Sequence, residues 1–159
     1  MQIWHMEQYP CGDRRLPHHQ FPPKMYTPDQ LHSMTGVVTY KIDIDDANAL
    51  KKRISRVKAE RNISSTDVLT LNSQTLSLSQ KLDDFYEPIA RDGDTAYLVM
   101  DGSAYYDIEV EEDEWIRISM ERGDCIVIPK GVSHRFTLTP LNNVRVQRYF
   151  ERHVDSAQG

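Results

Sequence analysis

From Ala96 to Phe150 the chain breaks into short apolar, β-branched or aromatic runs with turn residues between them, at intervals of roughly eight to twelve residues. That cadence belongs to an antiparallel sandwich or barrel and leaves no room for a helical bundle. The runs are residues 96–100, closed by Asp101-Gly102, then 104–110, 115–120, 125–128, 134–138 and 144–150. Within them period-2 parity sorts the faces: Tyr106, Ile108 and Val110 share one, as do Ile116, Ile118 and Met120.

The most informative stretch runs from Gly123 to Phe136. Cys125-Ile126-Val127-Ile128 is apolar throughout, as a strand covered on both faces must be. Pro129 presets φ for a turn, and Gly131 offers a position where positive φ costs little. The next strand opens at His134, whose parity places it with Phe136 and Leu138, so an imidazole points where apolar side chains point.

The N-terminal portion reads differently. Gln2 to Met6 is strand-like, and a segment rich in proline and charge follows through Pro23. Thr27-Pro28-Asp29-Gln30 is a capping box with proline in the first helical turn, and Gly36 is a fitting stop. Val37 to Ile42 reads as a strand. Asp45 or Asp46 opens a second helix with Leu50, Ile54 and Val57 on its buried stripe. Asn62 to Asp67 reads as a polar break before a short strand over Val68 to Leu71, and Leu78, Leu82 and Phe85 mark a third helix that Pro88 ends. The expected organisation is one domain over residues 1–159: strand and helix decoration over 1–88, core barrel strands over 89–150 and a C-terminal tail over 151–159.

Composition narrows the function. With 39% hydrophobic and 27% charged residues, the chain suits a single core. A formal net charge of −5 argues against a dedicated nucleic-acid binder, since duplex affinity rests on phosphate neutralisation. Cys11 and Cys125 are too few and too far apart for a disulfide scaffold. The first residues lack the pattern of a secretory signal, and no apolar run approaches the roughly 20 residues of a membrane span. We expect a soluble protein of the cytoplasm, with the nucleus as a second location, no membrane insertion and no nucleic-acid partner.

Several side chains attract attention for chemical reasons. His18 and His19 are adjacent, so they point apart, and they read as loop residues rather than a metal pair. Lys51, Lys52, Arg53, Arg56, Lys58 and Arg61 form a basic helix face, most simply a solvated one. Glu111, Glu112, Asp113 and Glu114 crowd one hairpin tip and read as solvated acids. Cys125 lies mid-strand and reads as an inert buried thiol. Arg148 shares parity with Val144, Val146 and Phe150, so it either lines a pocket or pairs with a carboxylate.

The pattern Gly-x-x-x-x-x-Pro-x-Gly-x-x-His from Gly123 to His134 resembles the second metal-binding motif of the cupins, double-stranded β-helix barrels of jelly-roll type. Further features extend the likeness over almost the whole chain. They include Trp4, Glu60-Arg61-Asn62, Asp67, Phe85-Tyr86-Glu87, Leu98, Asp101-Gly102-Ser103, Tyr106-Asp107, Glu114 to Ile118, Glu121 to Asp124 and His134 to Thr137. Together they are similar to acireductone dioxygenase. The resemblance implies a mainly β cupin barrel with added helices, and an enzyme of methionine salvage that uses Fe²⁺ or Ni²⁺ with O₂.

That family's first motif runs His-x-His-x-x-x-Glu-x-x-x-x-x-x-Gly. Registered on Gly102, its ligand positions hold Ile89, Arg91 and Thr95, and His134 alone survives. An arginine that the family uses to hold substrate registers on Tyr97. Isoleucine has no lone pair, threonine is a poor neutral ligand, and Arg91 sets a fixed positive charge where a cation would sit. The resemblance therefore implies an inactive member with no metal cofactor, left with a binding or regulatory role. Two alternatives stay open: an active enzyme with a ligand set rebuilt from His134 with Glu87, Asp92 or Asp94, and an empty cupin whose pocket of Arg91, Phe85, Tyr97, Phe136 and Arg148 takes a small anion. A protein partner is also compatible with the family.

Overall fold

The computed structural model of the protein describes residues 1–151. Its elements in chain order are β1 (Gln2–His5), α1 (Pro28–Thr35), β2 (Val38–Lys41), α2 (Ala47–Arg61), β3 (Ile63–Asn72), α3 (Leu78–Tyr86), β4 (Thr95–Glu111), β5 (Glu114–Glu121), β6 (Asp124–Ile128), β7 (His134–Leu138) and β8 (Asn143–Glu151). The tail expected over 151–159 lies outside the described residues except for Glu151, which ends β8.

The fold is mainly β, a curled antiparallel sheet organised on β4. The first half of β4 is flanked by β6 and β8, with Tyr97 opposite Ile126 and Arg148. Its second half is flanked by β5 and β7, with Tyr106 opposite Ile118 and Phe136. The strand changes partners at Gly102, where φ is +77° and a Cβ would lie 2.1 Å from the Asn143 carbonyl oxygen. Sequence reasoning makes Asp101-Gly102 a turn between two strands. Instead it is a bend within one, because the same glycine freedom serves a close backbone crossing as well as a turn.

The two faces of β4 and β6 bury different things. Tyr97, Val99, Ile126 and Ile128 face the interior of the curl with Tyr106, Phe136 and Val146. Ala96, Leu98, Cys125 and Val127 face outward onto Ile54 and Val57 of α2. The sandwiched strand expected around Cys125 therefore exists, covered by the curl on one side and a helix on the other.

Local chemistry sets the helices. In α1 the Thr27 hydroxyl accepts from Gln30 N–H, and the Gln30 side chain accepts from Thr27 N–H, while Gly36 closes the helix at φ +80°. Asp46 caps α2 by accepting from Asn48 and Ala49. The polar break expected over Asn62–Asp67 is absent. Asn62 alone, at φ +56°, ends α2 as a left-handed cap, and β3 begins at the next residue. Its run of exposed polar side chains hid a ladder with β8 that holds it from Ile63 to Asn72. With β1 on β5 and β2 on β6, the N-terminal portion thus supplies three strands of the sheet besides its helices.

Candidate functional site

The turn between β6 and β7 delivers His134 into the mouth of the curl. Val132 N–H donates to the Pro129 carbonyl, Gly131 at φ +82° donates to the Arg91 carbonyl, and His134 and Ile89 exchange two backbone hydrogen bonds of 2.9 Å. The segment holding Ile89 and Arg91 therefore lies directly against the histidine. His134 is buried, with 3% of its surface exposed.

The imidazole is fully committed. Nδ1 lies 3.0 Å from the Val132 carbonyl oxygen, an acceptor only, so Nδ1 carries the proton. Nε2 then presents a lone pair, and the Tyr97 hydroxyl donates to it at 3.1 Å. Burial holds the His134 pKa below its ordinary value of 6.5, with the Arg91 charge acting in the same direction. The Tyr97 phenol is pushed up by burial, partly offset by Arg91, so it keeps its proton at neutral pH. Tyr97 is in turn stacked on Tyr106 at 4.7 Å, which meets Phe136 at 5.1 Å, and Phe136 meets Phe85 at 5.2 Å. This aromatic chain fixes the hydroxyl in place.

What remains is a cavity of about 70 Å³, lined among others by Glu87, Ile89, Arg91, Tyr97, His134 and Arg148. Small-molecule pockets commonly run to roughly 300 Å³ or more, so this one takes at most a few atoms. Every pocket residue expected from sequence lines it, including Phe85 and Phe136. Its charge differs from expectation. Arg148 donates from Nε and Nη2 to both Asp67 oxygens, at 2.7 and 2.6 Å, so it is pocket residue and ion pair at once. Arg135, a lining residue that sequence reasoning missed, is held by Asp107 at 2.9 Å. Asp84 and Glu87 add carboxylates to the rim. Only Arg91 is left without a carboxylate, its guanidinium over the Phe150 ring at 4.7 Å and its buried Nε without a hydrogen-bond partner among the described residues.

The lining does not fit a redox metal. Thr95 is buried within the ladder between Ile128 and Phe150. Of the carboxylates considered as substitutes, Asp94 accepts from Lys130 N–H and pairs with Arg61 at 3.4 Å, and Asp92 is an exposed partner of Lys130. Glu87 alone reaches the cavity. With the one imidazole lone pair engaged by Tyr97 and a guanidinium beside it, the rim carboxylates Asp84 and Glu87 do not complete with His134 the converging set of three that such an ion requires. Among the described residues no group of three or more His, Cys, Asp or Glu side chains is placed to hold an ion.

Other flagged residues serve the fold. His18 is buried, bonded through Nδ1 to Glu7 at 2.9 Å and through Nε2 to the Asp13 carbonyl, and His19 stacks on Trp4 at 4.4 Å. Both lie in the β1–α1 connection, where each makes a fixed structural contact. Burial pushes the Cys125 thiol up to about 12, as an inert cysteine requires. No described helix is long and apolar enough to cross a membrane.

The ARD/ARD' family model matches residues 2–158. "Probable inactive acireductone dioxygenase 1" of Caenorhabditis elegans is 54% identical over 159 residues, all of both chains. Acireductone dioxygenase of Homo sapiens is 35% identical over 151 residues, 94% of this chain and 83% of that one. An acireductone dioxygenase from Bacillus anthracis, solved with a cadmium ion in its active centre, superposes with a TM-score of 0.76 at 20% identity, covering 95% of this chain and 92% of that one, which shows the shared fold. With its sheet, its helices and its whole length accounted for, the chain belongs to the acireductone dioxygenase (ARD/ARD') family.

Proposed function

We propose that this chain is an inactive acireductone dioxygenase-like protein whose ligand pocket has closed around a hydrogen bond between Tyr97 and His134. One observation carries the reading. The Nε2 atom, the only imidazole lone pair aimed into the pocket among the described residues, accepts a hydrogen bond from a tyrosine hydroxyl locked by stacking. Of the positions where the family resemblance places the other ligands, Ile89 and Arg91 line the cavity and Thr95 is buried in the ladder between Ile128 and Phe150. Full-length relatives at 54% identity that also carry the words "probable inactive" support it. The loss of the metal site, a connection to methionine salvage through a binding or regulatory role, and a cytoplasmic or nuclear location follow from this reading. The test is acireductone consumption under O₂ with Fe²⁺ or Ni²⁺ supplied. The expected rate equals that of the metal salt alone, and turnover that vanishes in His134→Ala overturns the proposal.

A second reading rests on the unpartnered Nε of Arg91, which favours a small anion such as formate in the cavity. A thermal-shift screen of small organic acids tests it. We expect a rise in Tm that Arg91→Gln abolishes, and a flat response across the screen contradicts it.

A further inference from the structure

The basic face of α2 borders a groove that the pocket chemistry does not use. Two adjoining open depressions, of about 310 and 390 Å³, share Lys41, Ile42 and Asp43. Lys52, Arg53 and Arg56 line one, and Arg122 lines the other. The helix is held rigidly, because Ile54 and Val57 are buried against the outer face of the sheet.

The cations there are not equivalent. Arg122 is taken by Asp45 at 2.7 Å and Lys41 by Asp124 at 3.1 Å. Lys52, Arg53 and Arg56 have no salt-bridge partner among the described residues, whereas Arg61, lower on the same helix, pairs with Asp94. Arg53 is fixed by stacking over Tyr40 at 4.6 Å, which presents a planar fork of N–H donors suited to a carboxylate. Lys52 and Arg56 are exposed one helical turn apart beside it. Three uncompensated cations therefore converge on an open groove in a chain of formal net charge −5. The rim is acidic: Asp43, Asp45 and Asp46 stand at the β2–α2 connection. A long, uniform polyanion crossing the groove would meet all of those carboxylates, while a short run of acidic side chains seated on Lys52, Arg53 and Arg56 would face three cations against Asp43.

We propose that this groove docks a short acidic segment of a partner protein, with Arg53 as its fixed anchor and Lys52 and Arg56 as its flanking charges. The surface is independent of the Tyr97–His134 pocket, so the two readings stand or fall separately. The test is fluorescence anisotropy of a labelled tetraglutamate peptide titrated with the full chain. Saturable binding is expected at low salt, weakened at about 150 mM salt by screening. The double substitution Lys52→Glu with Arg56→Glu is expected to weaken it by roughly tenfold or more without moving Tm, since both side chains are exposed. Lys52→Gln with Arg56→Gln should give a smaller loss in the same direction. The proposal is overturned if tetraglutamate binds no better than tetraglutamine, if the charge reversal leaves its affinity unchanged, or if a single-stranded oligonucleotide of equal charge binds more tightly.

Discussion

Two segments meet at the mouth of the barrel, and they have fared differently. The stretch from the β5–β6 turn through the β6–β7 connection keeps every residue of its motif, from Gly123 through Pro129 and Gly131 to His134. The facing segment, residues 87–97, carries none of the ligands that the resemblance assigns to it. The difference separates two kinds of constraint. Gly123 at φ +92° has the Ile42 carbonyl oxygen 2.7 Å from where a Cβ would sit, so the backbone itself requires glycine, with or without an ion. A ligand side chain is needed only while it holds something. Under the proposed reading that space is filled instead, with the Tyr97 ring in the aromatic stack and its hydroxyl on His134.

Substitutions on either side of this divide sharpen the comparison. The largest effect is expected from Gly123→Ala, which combines a left-handed φ with that backbone clash and should cost about 2–4 kcal/mol in denaturant unfolding. Gly131→Ala tests whether the clash matters. Its φ is also positive, at +82°, but nothing lies within 4 Å, so a cost near 1 kcal/mol is expected by the same measurement. Equal costs at the two glycines would mean that conformation alone explains both.

On the other side, Tyr97→Phe leaves the stacking and removes the hydroxyl. It should cost about 1 kcal/mol by leaving Nε2 of His134 buried and unpaired, read from the urea midpoint. No cost would show that the hydrogen bond contributes nothing to the closed pocket. The smallest effect concerns pH. Because burial holds folded His134 below the 6.5 of an unfolded histidine, the unfolded chain binds the proton more readily. The contribution of His134 is therefore full above that value and is lost as pH falls through the window beneath it. His134→Gln should flatten the fall in stability on that acid side, measured by unfolding at several pH values.

Much of this could be read in the sequence, for identifiable reasons. The capping box at Thr27 and the doubly covered strand at Cys125 are local patterns with one physical solution each, whereas for the α2 cap the sequence left Asp45 and Asp46 both open. The pocket residues Phe85, Tyr97, Phe136 and Arg148 were legible through parity and the family register. The continuity of β4 was not, because Asp101-Gly102 is equally good chemistry for a turn and for a crossing against Asn143. Nor was the extent of β3, whose polar exposed face looks like loop until β8 is laid beside it. The pocket's charge escaped as well, since the partner that neutralises Arg148, Asp67, lies 81 residues away in sequence. Arg135 escaped because Asp107, which holds it, is buried on a different strand.

The central claim is that Tyr97 and its neighbours have replaced a metal centre. Metal content by inductively coupled plasma mass spectrometry, on full-length protein prepared with Fe²⁺ or Ni²⁺ in excess and then desalted, tests it most directly. The account expects only traces of either ion, unchanged in His134→Ala. One tightly held ion per chain that disappears with His134→Ala would contradict it.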